Sequence, residues 1–261
     1  MDHRPEPARH RRAADLSTVA ELIASIDQAA DPAVAESLSR YFKLKPGGYG
    51  YGDQMIGVKL STIRTLLKPF QRAGLPLPEL ETALASRIHE HRLAVLTLLA
   101  ARAARAQKPR TANPAELAEI YDLYLRNTRF VNNWDLVDGS APQIVGGHLL
   151  DKPRDVLYTL IESPSLWERR IALLATLWFI VAGESADTYA LAARVLTDKE
   201  DLIHKASGWM LREAGKRVSE GELLAFLDQH TPAMPRTMLR YALERLPPET
   251  RTHYLSIKRT L

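Results

Sequence analysis

The chain has 261 residues, 46% of them hydrophobic and 25% charged, with a formal net charge of +4 and an isoelectric point near 9.3. That is the balance of an ordinary globular chain, long enough to bury a substantial core. The lack of cysteine excludes disulfides and thiolate metal sites, and the small positive charge is compatible with nucleic acid without arguing for it.

Residues 1–15 hold Arg, His and Pro with no apolar block, which predicts a flexible basic tail and no secretory signal. A single domain over 16–261 is expected, in a soluble, cytoplasmic protein. Regular structure should begin at Thr18-x-x-Glu21, a capping box ahead of Val19, Leu22, Ile23 and Ile26. Asp31-Pro32 starts a second helix, with Pro in the favoured first turn, running to about Lys43.

A glycine-rich stretch follows, Lys45-Pro46-Gly47-Gly48-Tyr49-Gly50-Tyr51-Gly52-Asp53-Gln54. It lacks the GxxxxGK[ST] pattern, and a helix rather than a strand precedes it, so a phosphate cradle is disfavoured. An ordered loop presenting Tyr49 and Tyr51 is expected instead.

From Ser61 onward the pattern is helix after helix. Helices are expected near 61–73, 79–86, 88–106, 114–126, 132–149, 153–161, 166–182, 185–196, 199–216, 220–229, 234–246 and 248–258. Asn113 before Glu116, Ser165 before Glu168, Thr197 before Glu200 and Ser219 before Glu222 each read as a cap three residues ahead of a glutamate. The longest apolar run, Ile171 to Ala182, is too short for a bilayer, which takes roughly 20 residues, and reads as a buried helix containing Trp178. No stretch alternates as a strand would, so the class is all-α.

A weak repeat runs through the helices. Arg92-Leu93-Ala94-Val95-Leu96 resembles Arg170-Ile171-Ala172-Leu173-Leu174, and Lys205-Ala206 and Arg240-Tyr241-Ala242 continue the series. Units of roughly 35–40 residues, each with a basic residue before an apolar run, predict a right-handed α-α solenoid of HEAT-like repeats. In such a C-shaped solenoid Arg92, Arg170, Lys205 and Arg240 would line one basic concave face. An irregular helical bundle is the alternative.

Within this frame Asn132-Asn133-Trp134-Asp135-Leu136-Val137-Asp138 stands out. Trp134 and Asp138 are four apart and share one helical face, and an indole beside a carboxylate suits a cleft better than a core. Arg170 and Trp209 are candidate partners. A structural salt bridge between repeats explains Asp138 and Arg170 equally well, because ion-pair networks mimic active sites. His91 and His204 lack the spacing of metal ligands, and no Ser-His-Asp set or GxSxG elbow is present.

Four ordered segments carry a resemblance: Asn132–Asp138 with Ser140-Ala141-Pro142; Leu166-Trp167-Glu168-Arg169-Arg170-Ile171-Ala172; Asp201 to Glu213, including Lys205, Trp209 and Arg212; and Met234-Pro235-Arg236-Thr237-Met238-Leu239-Arg240-Tyr241. Over its C-terminal two thirds the chain resembles the AlkD-type family of bacterial DNA alkylation repair proteins, which are HEAT-like-repeat DNA glycosylases. Tyr41-Phe42-Lys43 through Gly57-Val58 resembles the wider family, although the loop at 46–52 departs from its best-known members.

The resemblance implies a cofactor-free and metal-free enzyme, monomeric and nucleoid-associated, acting on duplex DNA that contains alkylated bases. It assigns Asp138 to the carboxylate that assists cleavage, Trp134 and Trp209 to aromatic walls around the lesion's sugar, and Arg170 to a DNA contact at the lesion. Arg92, Arg169, Lys205, Arg212, Arg236 and Arg240 are then expected on phosphates. A non-catalytic helical-repeat protein that binds damaged or structured DNA is the alternative.

Overall fold

The computed structural model describes residues 18–260; the tail expected over 1–15 lies outside them. The architecture is an all-α helical-repeat solenoid. Among the described residues the only β feature is an isolated bridge between Gln54 and Ile88.

The N-terminal layer is α1 (Val19–Gln28), α2 (Pro32–Tyr41), α3 (Leu60–Ala73), α4 (Leu77–Leu84) and α5 (His89–Ala106). Thr18 and Glu21 form the full capping box, and Asp31 caps α2. α6 (Pro114–Arg126) and the short α7 (Trp134–Asp138) follow. A π-helical turn, Pro142–Gly146, then runs into α8 (Gly147–Leu149) and α9 (Asp155–Leu160). The C-terminal half is α10 (Leu166–Val181), α11 (Ala186–Arg194), α12 (Asp201–Arg217), α13 (Glu220–His230), α14 (Arg236–Leu243) and α15 (Pro248–Ser256).

Two boundaries differ from expectation for local reasons. The helix expected over 132–149 is broken, because Asn133 caps a new start at Trp134 and Pro142 has no N–H to continue the ladder beyond Gly139. Asp138 therefore sits at an exit turn. Thr197 does not cap α12, whose first residue is Asp201. Asn113, Ser165 and Ser219 do cap, each accepting from the expected glutamate amide.

The core runs continuously from α1 through α12, with a second cluster joining α12 to α14 and α15. In α10 every side chain from Arg170 to Thr176 is buried, while Trp178 is only half-buried and Val181 is exposed. α12 closes tightly on α14 because Gly208 lacks a side chain: a Cβ there would lie 2.4 Å from the Met238 carbonyl oxygen.

Arginines join one repeat to the next. Arg154 pairs with Asp187, Arg169 with Asp198, Arg194 with Glu162 and Arg212 with Glu244, across sequence separations of 29 to 33 residues.

The glycine-rich loop is held down from α5. The buried Glu90 carboxylate accepts the amides of Ile56, Gly57 and Val58 at 2.8–3.2 Å. Gly57 is required there, since its φ is +89° and a Cβ would meet the Asp31 carbonyl oxygen at 2.0 Å. Glu90→Ala should therefore destabilise the protein by about 3 kcal/mol or more, the loss of charge-assisted hydrogen bonds plus orphaned buried amides. Urea unfolding checks this, and a change below about 1 kcal/mol would mean that the loop is held some other way.

Candidate functional site

One wall of a cleft is built by the end of α2 and the loop it leads into. Tyr41, 64% exposed, meets the Trp134 indole edge-on, and Phe42 stacks on it with centroids 5.2 Å apart. Tyr49 folds back under the same lip, its hydroxyl donating to the Tyr41 carbonyl and its ring meeting Trp167. Tyr51 stays exposed at the loop tip.

The opposite wall comes from α12 and α14, with Leu202, Lys205, Trp209 and Tyr241. Lys205 and Trp209 are four residues apart and so share one face of α12. The enclosed volume is about 320 Å³ and Arg170 forms its floor. A roomier hollow of 590 Å³ elsewhere is lined by Glu184, Glu222 and mainly apolar side chains, with no Lys or Arg, and is unsuited to a polyanion.

Asp138 lies at the end of α7, one turn below Trp134. Arg170 holds both its oxygens, Nε to Oδ1 and Nη2 to Oδ2, each at 2.8 Å, and its Nη1 donates to the Leu202 carbonyl. The carboxylate keeps 18% exposure against 5% for the guanidinium. Burial pushes the Asp138 carboxyl up more than Arg170 pulls it down, and the nearby Asp135 charge adds to the rise. The group is thus fixed in direction and short of solvation.

Trp134, Arg170, Lys205 and Trp209 line one cleft, and Asp138 is paired to Arg170. Arg170, expected as a DNA contact, has each of its three nitrogens donating within the protein, two of them to Asp138. Four residues expected on phosphates also have partners within the protein. Arg92 is 4% exposed and spans Asp53 and the Ser86 carbonyl. Arg169 spans Asp198 and the carbonyls of Ser163 and Pro164. Arg212 lies between Glu213 and Glu244. Arg236 donates to the carbonyls of Leu255 and Ile257 and secures α15. Of that set, Lys205 is half-exposed at the cleft despite its Asp201 partner, and Arg240 is exposed beside Tyr241.

Sequence reasoning passed over the buried cluster behind Trp134. His89 bridges Asp53 and Asp135, with Arg92 and Asn132 on Asp53. One signal was present: His89, Glu90, His91 and Arg92 are consecutive polar residues opening a helix that then turns apolar.

No curated protein matches the sequence. Among solved structures, a predicted DNA alkylation repair enzyme from Enterococcus faecalis is 17% identical and superposes with a TM-score of 0.62, over 84% of this chain and 97% of that one, which shows the shared fold. The family model described as DNA alkylation repair enzyme matches residues 22–246, a span that includes both cleft walls and the Asp138–Arg170 pair. By this match the chain belongs to the DNA alkylation repair enzyme family.

Proposed function

We propose that the protein is a DNA glycosylase that hydrolyses the N-glycosidic bond of positively charged N3- or N7-alkylated purines in duplex DNA, without full base flipping. The observation that carries this reading is one oriented carboxylate, Asp138, held by the Arg170 that lines a cleft walled by the indoles of Trp134 and Trp209.

Alkylation at N3 or N7 leaves the purine cationic, so the base departs with the C1′–N electron pair and needs no general acid. One carboxylate then suffices, unlike the paired carboxylates of most glycosidases. As the bond breaks, the deoxyribose becomes oxocarbenium-like, and Asp138 stabilises that charge and orients the water that adds to C1′ and gives up a proton. Each indole face adds cation–π attraction of about 0.5–2 kcal/mol to the same cation. Arg170 contributes by holding Asp138 in place. No membrane is implied: no helix of the described residues is long and apolar enough to cross one. The reading is of a monomer working at the cytoplasmic nucleoid.

The occupied state of both Asp138 oxygens favours a second reading, a DNA-binding module in which the pair only ties repeats together. The two part on one assay. Purified protein should release 7-methylguanine from methylated duplex DNA, and release no faster than the spontaneous background would sink the enzyme reading. Binding itself should weaken with salt, and Lys205→Ala or Arg240→Ala should each lower the slope of log K against log[salt] by about 1. Slopes equal to wild type in both variants would move the phosphate contacts away from this cleft.

A further inference from the structure

The cluster behind Trp134 has no part in the reaction as proposed, yet its geometry is highly specified. His89 opens α5 and is 1% exposed. Its Nδ1 lies 3.1 Å from Asp53 Oδ2 and its Nε2 2.8 Å from Asp135 Oδ2. An ionised carboxylate only accepts, so the ring can satisfy both partners only when both nitrogens carry a proton. Arg92 and Asn132 donate to the other Asp53 oxygen at 2.7 and 3.1 Å. Two carboxylates and two cations therefore balance in a buried site, the condition under which such charges are tolerated. Of the other titratable neighbours on α5, Glu90 turns away onto the 56–58 amides and His91 onto Asp27 and the Ser86 hydroxyl.

The cluster reaches the cleft by two routes. Phe42 lies 5.2 Å from the His89 ring on one side and stacks on Trp134 at 5.2 Å on the other. Asp135, neutralised by His89, is also a charge that disfavours the ionised form of Asp138.

We propose that His89 is a positioning residue: as an imidazolium it clamps the glycine-rich loop to the start of α7, props Trp134 through Phe42, and cancels the Asp135 charge that opposes ionisation of Asp138. Its consequence for the reaction rests on the glycosylase reading; the arrangement of charges does not. Burial works against the imidazolium, but the two carboxylate hydrogen bonds overcome this and raise its pKa to about 9. Asp53 is held below the usual carboxylate range, with the His89 hydrogen bond and the Arg92 charge outweighing burial. The raised His89 value means that its proton stabilises the fold fully below about pH 6.5, and that this contribution is lost as pH rises through about 9.

The test follows His89 by imidazole NMR and Asp138 by carboxyl carbon-13 NMR in wild type, His89→Gln, Asp135→Asn and the double variant. Rates of 7-methylguanine release are measured over the same pH range. His89 should keep its proton through pH 8. His89→Gln should move the Asp138 midpoint upward by on the order of one pH unit, Asp135→Asn should move it down, and the double variant should cancel the rise. The acid limb of base release should move with it, a displacement that simple loss of packing does not produce. A His89 that titrates as a free histidine, or an Asp138 midpoint unmoved in both single variants, overturns the proposal. If circular dichroism shows His89→Gln unfolded, the isosteric Asp135→Asn decides by the same midpoint. Wild-type protein inactive at every pH would sink the glycosylase reading, while the two NMR titrations would still decide this one.

Discussion

Asp138→Asn is expected to slow release of 7-methylguanine by about 10²–10³-fold, the usual cost of removing one preorganised group facing developing charge. Duplex affinity should change little, because the contacts proposed for phosphates are on Lys205, in the cleft wall, and the exposed Arg240. The substitution keeps shape and one acceptor oxygen for Arg170, so the fold should survive the loss of one charged hydrogen bond, worth about 1.5–3 kcal/mol. Single-turnover release with saturating protein separates chemistry from binding. A variant with near wild-type rates would mean that Asp138 only ties α7 to α10. In the wild type, the raised Asp138 pKa places the acid limb of activity above the range of an ordinary aspartate, near 3.9.

Arg170→Met should be the more damaging change overall, because it removes one partner of a buried pair. The stranded carboxylate should cost about 3–5 kcal/mol of stability, read as a lower urea midpoint. Asp138 loses the cation paired to it, so its pKa should rise further still and a larger share of the carboxyl should be protonated at a given pH. Base release should then fall by about 10²-fold or more at neutral pH and recover partly as pH is raised. Arg170→Lys should lie between, since an ammonium restores charge but not the two parallel hydrogen bonds at 2.8 Å. A rate in Arg170→Met that is depressed equally at all pH values would contradict an electrostatic hold on Asp138.

Much of the fold was legible because its causes are local. Thr18, Asp31, Asn113, Ser165 and Ser219 cap the helices they precede, since a side-chain oxygen and an amide two or three residues on need no other part of the chain. The exceptions have local or near-local causes too. Pro142 broke a helix that apolar periodicity had carried through, and α12 began past Thr197. The facing of Trp134 and Asp138 was equally local, one turn of helix apart. So was the pairing of Lys205 with Trp209.

The destinations of the arginines were not legible. Arg92 and Arg170 share a register and were both expected on a basic face, yet both are buried on carboxylates, Asp53 and Asp138, which lie 39 and 32 residues away in sequence. Arg169 and Arg212 likewise end on Asp198 and Glu244. The sequence by itself determined that this chain is an all-α repeat protein, where most of its helices begin, and that an indole and a carboxylate share one helical face. Those features depend on hydrogen bonds and side-chain spacings within a few residues. Only the tertiary structure decided that Arg170 holds Asp138, that His89 bridges Asp53 and Asp135, and that Lys205 and Arg240 remain toward solvent. A buried charge takes as its partner whichever group the packing of repeats brings near it, and no periodicity along one helix reports what the next repeat will offer.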